Sequence, residues 1–265
     1  MDHRAGLAPR FAEAKFSCFP CHLEYRILGW LPIIILVFYP SAKRVLDLAF
    51  SLFVLVLTMP VLLIVAILVK TTSRGPVFYK ASRVGELNRD FKMLKFRTMV
   101  DGSDRTGPSI TASDDARITP LGHFLRLSKL DEIPQFWNVL IGDMSVVGPR
   151  PNVRQFVDAY TEEELQLLTV PQGITDLASL WFRVQEKQLT GSSDPEGDYI
   201  RFVAPTKVAL GLFYSEQRSF TLDLKIIAAT FGAVFLKVDP SWCFPEEARE
   251  MVRSENKSTV SQIAA

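Results

Sequence analysis

Apolar positions are concentrated in one uninterrupted stretch, Leu48 to Val69, which holds 22 residues without a charge. As a helix such a stretch is long enough to cross the hydrocarbon core of a bilayer. It is too internal, and too strongly flanked by basic residues, for a cleaved signal peptide. The pattern therefore predicts a membrane protein. Pro60 falls near the middle, where it removes a backbone donor and crowds the carbonyl of Val56, so a kink is expected there. Each half then reaches about 18 Å against about 30 Å of hydrocarbon. Two readings stay open on the pattern alone: a kinked single-pass helix, and a bent, re-entrant helix that enters and leaves by one face. Lys43 and Arg44 before the stretch and Lys70 and Arg74 after it speak for re-entry, because spanning helices gather basic residues on one side. Ser51 and Thr58 offer hydroxyls to carbonyls freed by the bend.

The remaining pattern predicts smaller elements. Ile27 to Tyr39 is a second apolar run, 13 residues long and interrupted by Pro32, expected to lie on the membrane surface. A short strand is expected at Val77 to Tyr79 between turns, and an extended segment from Phe91 to Met99. If that segment is a strand, Lys95 and Arg97 share one face and are ready to meet a phosphate. Asp101 to Asp115 reads as a loop, His123 to Lys129 as helical, and Pro134 to about Ile141 as a helix closed by Gly142. Leu222 to Leu236 has the pattern and length of an interfacial helix, and the chain from Glu246 is polar and expected to fray. The predicted class is α+β, mostly helical. The predicted organisation is an N-terminal extension over 1–40, a membrane helix with its flanks over 41–74, a catalytic domain over 75–240 and a polar tail over 241–265.

Charge narrows the partners. Thirty basic residues nearly cancel 29 acidic ones, so no global field draws the protein to nucleic acid, and anion binding has to be local. Three cysteines, at 18, 21 and 243, are too few and too scattered for a disulfide framework and suit a reducing compartment. Cys18, Cys21 and His22 spell C-x-x-C-H, a spacing that attaches c-type haem in exported domains; unpaired thiols in an extension are the expectation here. Three histidines without an acid or cysteine constellation argue against a hydrolase triad or a zinc site, and no Walker-type or G-x-G-x-x-G loop is present.

Candidate chemistry gathers between Arg126 and Arg150. Asp131 and Glu132 sit just before the helix that Pro134 opens, where unpaired amides stabilise carboxylates and attract phosphate. Taken alone, such a pair is an ordinary cap. In Gly148-Pro149-Arg150-Pro151 two prolines stiffen the backbone around an arginine, which presents its guanidinium to an anion with little entropy loss.

In order along the chain, several segments resemble those of the bacterial sugar transferases, the monotopic phosphoglycosyl transferases. They are Lys43-Arg44 with Asp47, the apolar stretch with Pro60, Gly75-Pro76-Val77-Phe78-Tyr79, Arg83-Val84-Gly85, Lys95-Phe96-Arg97-Thr98-Met99, Arg117-Ile118-Thr119, Leu130-Asp131-Glu132-Ile133-Pro134-Gln135, Trp137-Asn138-Val139, Gly142-Asp143-Met144-Ser145 and Val147 to Pro151. The chain departs from the usual pattern at Met59, Ala81 and Ser128-Lys129. The resemblance implies a nucleotide-sugar donor, of the UDP type, and a polyprenyl phosphate acceptor. It makes Asp131 the nucleophile that takes up a phosphosugar and Glu132 the ligand of Mg²⁺, with Arg126 beside them. Lys95, Arg97 and Arg150 become nucleotide or phosphate contacts, supported by Asp115 and Arg117. It also implies a re-entrant helix with interfacial helices, a site on the cytosolic face of the bacterial inner membrane, and a role in initiating surface glycan, exopolysaccharide or lipopolysaccharide synthesis; a homo-oligomer is compatible with it. Two competing expectations are a membrane glycosyltransferase that releases a nucleoside diphosphate and a non-enzymatic membrane scaffold.

Overall fold

The computed structural model describes residues 31–103, 115–185 and 203–253. The C-x-x-C-H segment, most of the expected 101–115 loop and the last twelve residues lie outside them. The first element, α1, is a single helix over Leu31–Thr72, 42 residues long and continuous through Pro40 and Pro60. The described part of the 27–39 run is thus no separate surface segment, because the helical dihedrals that proline favours let α1 run on through Pro40. Tyr39–Thr72 is long and apolar enough to cross a membrane, and little of it is covered by the rest of the protein. Leu52, Phe53, Val56, Leu57, Leu63 and Ile67 all stand more than half exposed. Thr58 does donate to a carbonyl, that of Val54 at 2.7 Å, whereas the buried Ser51 hydroxyl has no partner.

Both ends of α1 are fastened to the same body of protein. Near its start the Lys43 ammonium lies 2.9 Å from Asp223, Asp47 accepts from the Ser145 hydroxyl at 2.7 Å and the Val146 amide at 3.2 Å, and Arg44 donates to the carbonyls of Val139 and Leu140. At its far end Val65 and Val69 pack against Phe96 and Leu125. There Arg97 is 6% exposed and donates to the carbonyls of Arg74, Ser73 and Val69 and to the Ser73 hydroxyl. The last carbonyls of a helix lack intrahelical partners, so a guanidinium there satisfies them and opposes the negative end of the dipole.

Next comes an antiparallel hairpin, β1 (Phe78–Val84) with β2 (Asp90–Phe96), paired from Phe78 opposite Phe96 to Val84 opposite Asp90. Its turn holds Leu87 and Asn88 in the left-handed region. β1 exceeds the three residues expected because only Ala81 and Val84 of its seven face the core, too sparse an alternation to register. Further elements are α2 (Pro120–Ser128), α3 (Gln135–Ile141), β3 (Ser145–Val147), α4 (Arg154–Val157), β4 (Gly173–Thr175), α5 (Leu177–Gln185), α6 (Ala204–Gln217) and α7 (Phe220–Phe231). β3 and β4 form a short parallel pair, so the fold is mostly helical with two small sheets. Leu222, Ile226, Ala229 and Ala233 turn inward along α7 and the turn after it, while Leu224, Phe231, Phe235 and Leu236 are exposed. Residues 246–253 are helical, and Ala248 and Val252 are wholly buried in the main core. The segment expected to fray from Glu246 is held by this one-residue-wide stripe.

Replacing Arg97 with Ala strips four oxygens at the end of α1 of their charged donor and is expected to cost about 3 kcal/mol. Denaturant unfolding of the detergent-solubilised protein measures it, and an unchanged midpoint would contradict the clamp.

Candidate active site

Backbone geometry delivers the acidic pair to one spot. Thr119 caps α2 by accepting from the Gly122 amide at 2.9 Å, and the helix stops at Lys129, whose φ of 57° turns the chain sharply. One 3-10 turn, Leu130–Glu132, follows, and Ile133 and Pro134 keep helical dihedrals into α3. Gly142, with φ 97°, closes α3 as its position predicts. Pro134 stands at the cap, so α3 starts one residue later than expected, a difference within the usual uncertainty of helix ends.

The two carboxylates meet opposite conditions. Glu132 Oε1 accepts from Arg150 Nη2 at 2.6 Å and from Lys95 Nζ at 3.1 Å. Arg150 first and then Lys95 outweigh burial and hold the Glu132 carboxyl well below the usual range. Asp131 is 6% exposed, makes no ion pair among the described residues, and its Oδ1 has no hydrogen-bond partner. Burial, then the neighbouring Glu132 charge, push its carboxyl up. Burial also lowers Lys95 despite Glu132 beside it.

Arg150 is aimed from both ends. Its Nη1 donates to the Ile174 carbonyl at 2.7 Å and its amide to Asp176 at 3.2 Å, while the other oxygen of Asp176 accepts from the Ser179 amide at the start of α5. Gly148 and Gly173 bring the β3 and β4 ends so close that a Cβ on either would meet the other strand's backbone. Gly148 therefore serves the close approach of the two backbones. Asp176 carried no expected role, because a helix cap touching an arginine 26 residues earlier leaves no local signature.

Arg126 donates to the Thr98 hydroxyl at 2.9 Å, and the charges of Asp131, Asp115 and Glu132 oppose the lowering of its guanidinium by burial. Asp115 and Arg117 pair with each other at 2.6 Å, within electrostatic reach of Arg126. Seven of the eight expected residues thus fall in or beside one site. Arg97 does not: β2 ends at Phe96, so the alternation that would put Arg97 on the face of Lys95 stops one residue early, and its guanidinium is taken by the end of α1. A cavity of about 250 Å³ opens on the other side of Lys95 and Arg150, bordered by Arg83, Asn152, Tyr160 and Lys207.

Among the described residues no group of three or more His, Cys, Asp and Glu side chains could hold a metal. Asp131 and Glu132 together offer carboxylate oxygens but no closed cage. This donor set fits Mg²⁺, which is commonly held by one or two carboxylates and completed by substrate phosphates and water.

The model of the family described as bacterial sugar transferase matches residues 38–237. The UDP-N-acetylgalactosamine-undecaprenyl-phosphate N-acetylgalactosaminephosphotransferase of Aeromonas hydrophila is 33% identical over 216 residues, which is 80% of this chain and 48% of that protein. The UDP-glucose:undecaprenyl-phosphate glucose-1-phosphate transferase of Klebsiella pneumoniae is 37% identical over 73% of this chain and 40% of its own length. The exopolysaccharide production protein PSS of Rhizobium leguminosarum bv. phaseoli is 37% identical over 71% of this chain and 92% of its own. The chain thus spans less than half the length of the first two relatives and nearly all of the third.

Arg117 holds the Asp115 carboxyl down to about 2, below the ordinary value near 3.9. A depressed carboxyl contributes stability above its unfolded value and loses it as pH falls through the folded one, so this contribution should fade between about pH 4 and 2. Carbon-detected NMR titration of Asp115 reads the midpoint directly, and an ordinary midpoint would contradict the pairing.

Proposed function

The chain belongs to the bacterial sugar transferase family, and from that premise we propose that it transfers a sugar phosphate from a UDP-sugar to polyprenyl phosphate through a phosphosugar held covalently on Asp131. In the first half-reaction a carboxylate oxygen of Asp131 bonds to the β-phosphorus as the bond to the bridging oxygen breaks, and that oxygen leaves with UMP. In the second, an oxygen of polyprenyl phosphate bonds the same phosphorus and Asp131 departs, giving a polyprenyl diphosphate sugar, the first lipid-linked unit of a surface glycan such as an exopolysaccharide. The names of the Aeromonas and Klebsiella relatives join UDP-sugars to undecaprenyl phosphate, which supports this choice of donor and acceptor.

The observation that carries the reading is the contrast within the acidic pair. Glu132 is neutralised by two cations, while Asp131, next to it, is buried and makes no ion pair among the described residues. A carboxylate approaching an anionic phosphate at 4 Å is repelled by about 4 kcal/mol at an effective dielectric constant of 20, enough to slow attack about a thousandfold if uncompensated. Lys95, Arg150 and Arg126 surround the pair and offset that charge. Mg²⁺, held by Glu132 and completed by the donor's phosphates, would add charge neutralisation at the diphosphate. The cavity beyond Lys95 and Arg150 suits the nucleoside, and the Asp115 charge, itself paired with Arg117, favours the charged form of Arg126.

Re-entry of α1 into the cytosolic face of the inner membrane is supported by its two anchorages. A straight helix from Asp47 to Val69 is about 33 Å long, so a spanning α1 would need the same domain on both faces of the bilayer to make the bonds at its two ends. Exposed apolar side chains on other elements, Phe124 and Leu127 of α2, Trp137 and Ile141 of α3, and Leu224 and Phe231 of α7, suit a domain resting on lipid.

Asp131→Asn and Glu132→Gln are each expected to lower turnover on the order of a thousandfold with insertion intact. The wild-type protein should release UMP, not UDP, and retain radiolabelled phosphosugar after denaturation; robust turnover by Asp131→Asn would remove Asp131 as nucleophile. For topology, single cysteines at Ser41 and Thr72 in a background without the native thiols should both react with an impermeant reagent from the same side of oriented vesicles. Reaction from opposite sides would make α1 a spanning helix.

A further inference from the structure

Like the Oδ1 of Asp131, the side chains of Gln135 in α3 and Ser51 in α1 are buried polar groups with no hydrogen-bond partner among the described residues. Gln135 and Ser51 are both 0% exposed, and both amide atoms of Gln135 and the hydroxyl of Ser51 lack hydrogen bonds. Gln135 follows Asp131 by four residues along a path that stays helical through Ile133 and Pro134, little more than one turn on. Ser51 comes from α1, which crosses α3 antiparallel: Arg44 reaches Val139 and Leu140, and the Phe50 ring lies 6.0 Å from that of Phe136. Ser51 and Gln135 are the residues next to that ring pair, one on each helix.

A buried carboxamide with both ends unpaired destabilises the fold, and the positions that keep such groups are commonly functional. The three groups are chemically complementary. The Asp131 carboxylate accepts only, so it matches the amide N–H of Gln135, which leaves the amide oxygen toward the Ser51 hydroxyl. We propose that Gln135 is a positioning residue for Asp131: its Nε2–H holds the inward oxygen Oδ1 across one water, and Ser51 fixes which way the carboxamide faces. A neutral amide orients the carboxylate without neutralising it and leaves the second oxygen for attack on phosphorus. Through Ser51 the orientation of the nucleophile becomes tied to the seating of the membrane helix. This inference rests on the transferase reading above.

The test uses the full chain in detergent, with whichever of UDP-glucose, UDP-galactose and UDP-N-acetylgalactosamine the parent protein turns over. Gln135→Met keeps the volume and removes both polar ends. Formation of the phosphosugar enzyme should slow at least about fivefold with donor KM within about twofold, as expected when only orientation is lost. The melting temperature should fall by no more than about 10 °C, because Oδ1 and the Ser51 hydroxyl lose a hydrogen-bonding neighbour. A smaller fall in rate or a rise in KM that accounts for it overturns the proposal, and so does a larger fall in melting temperature, which would make the carboxamide structural. Ser51→Ala should show the same signature, and the double variant should be no slower than Gln135→Met alone; multiplying effects would overturn the role of Ser51. A parent protein that releases no UMP from any of the three donors defeats the transferase reading itself, whereas an active parent beside an equally fast Gln135→Met defeats only the positioning role.

Discussion

An apolar helix fastened at both ends by charged side chains is the constraint on which the rest of the molecule depends. Burying Lys43, Asp47, Asp223 and Arg97 is costly unless every charge finds a partner, and here each is met by an opposite charge or by backbone groups. Asp223 accepts from Lys43, Tyr39 and Tyr214 together. Apolar packing alone would let a greasy helix slide along its neighbours at little cost. Ionic and hydrogen-bonded contacts at fixed positions set its register, and the register places Phe50 against Phe136 of α3.

From that register the site follows. α3 is held on one side by Arg44 at its last carbonyls and on another by Asn138, whose side chain bonds the Leu94 amide and the Lys92 carbonyl of β2. The same strand supplies Lys95 to Glu132, and the β3–β4 crossing supplies Arg150. Glu132 is thereby the point where hairpin, helix and parallel pair converge. Adjacent residues in one turn, Asp131 and Glu132, acquire opposite electrostatic tendencies because only one of them faces those cations.

Much of this was legible in the sequence where the signal is local. The apolar stretch, the helix ended by Gly142, and the acidic pair before Pro134 stand where the pattern puts them. Lys95 and Arg150 bond Glu132 and Arg126 lies within electrostatic reach of both carboxylates, where the resemblance implies phosphate contacts for the first two. What stayed hidden depends on partners distant along the chain. Arg97 reads as a phosphate ligand until the strand is seen to end at Phe96. The burial of Ala248 and Val252 is two small side chains in a polar segment, too faint a stripe for a periodicity argument. Gln135, Ser51, Lys43 and Asp47 lie within recognised segments, but their roles come from the antiparallel crossing of α1 and α3 and from contacts with the end of the domain.

The two fastenings of α1 also differ in how far along the chain their partners lie, which bears on synthesis. Arg97 follows Arg74 by 23 residues, so the downstream clamp can close soon after the helix leaves the ribosome. Asp223 follows Lys43 by 180 residues. Until that carboxylate is made, the upstream end keeps a cationic ammonium available to anionic lipid headgroups. The upstream end of the helix is therefore the later of the two to be fastened by protein, and the final seating of α1 waits for the C-terminal third of the chain.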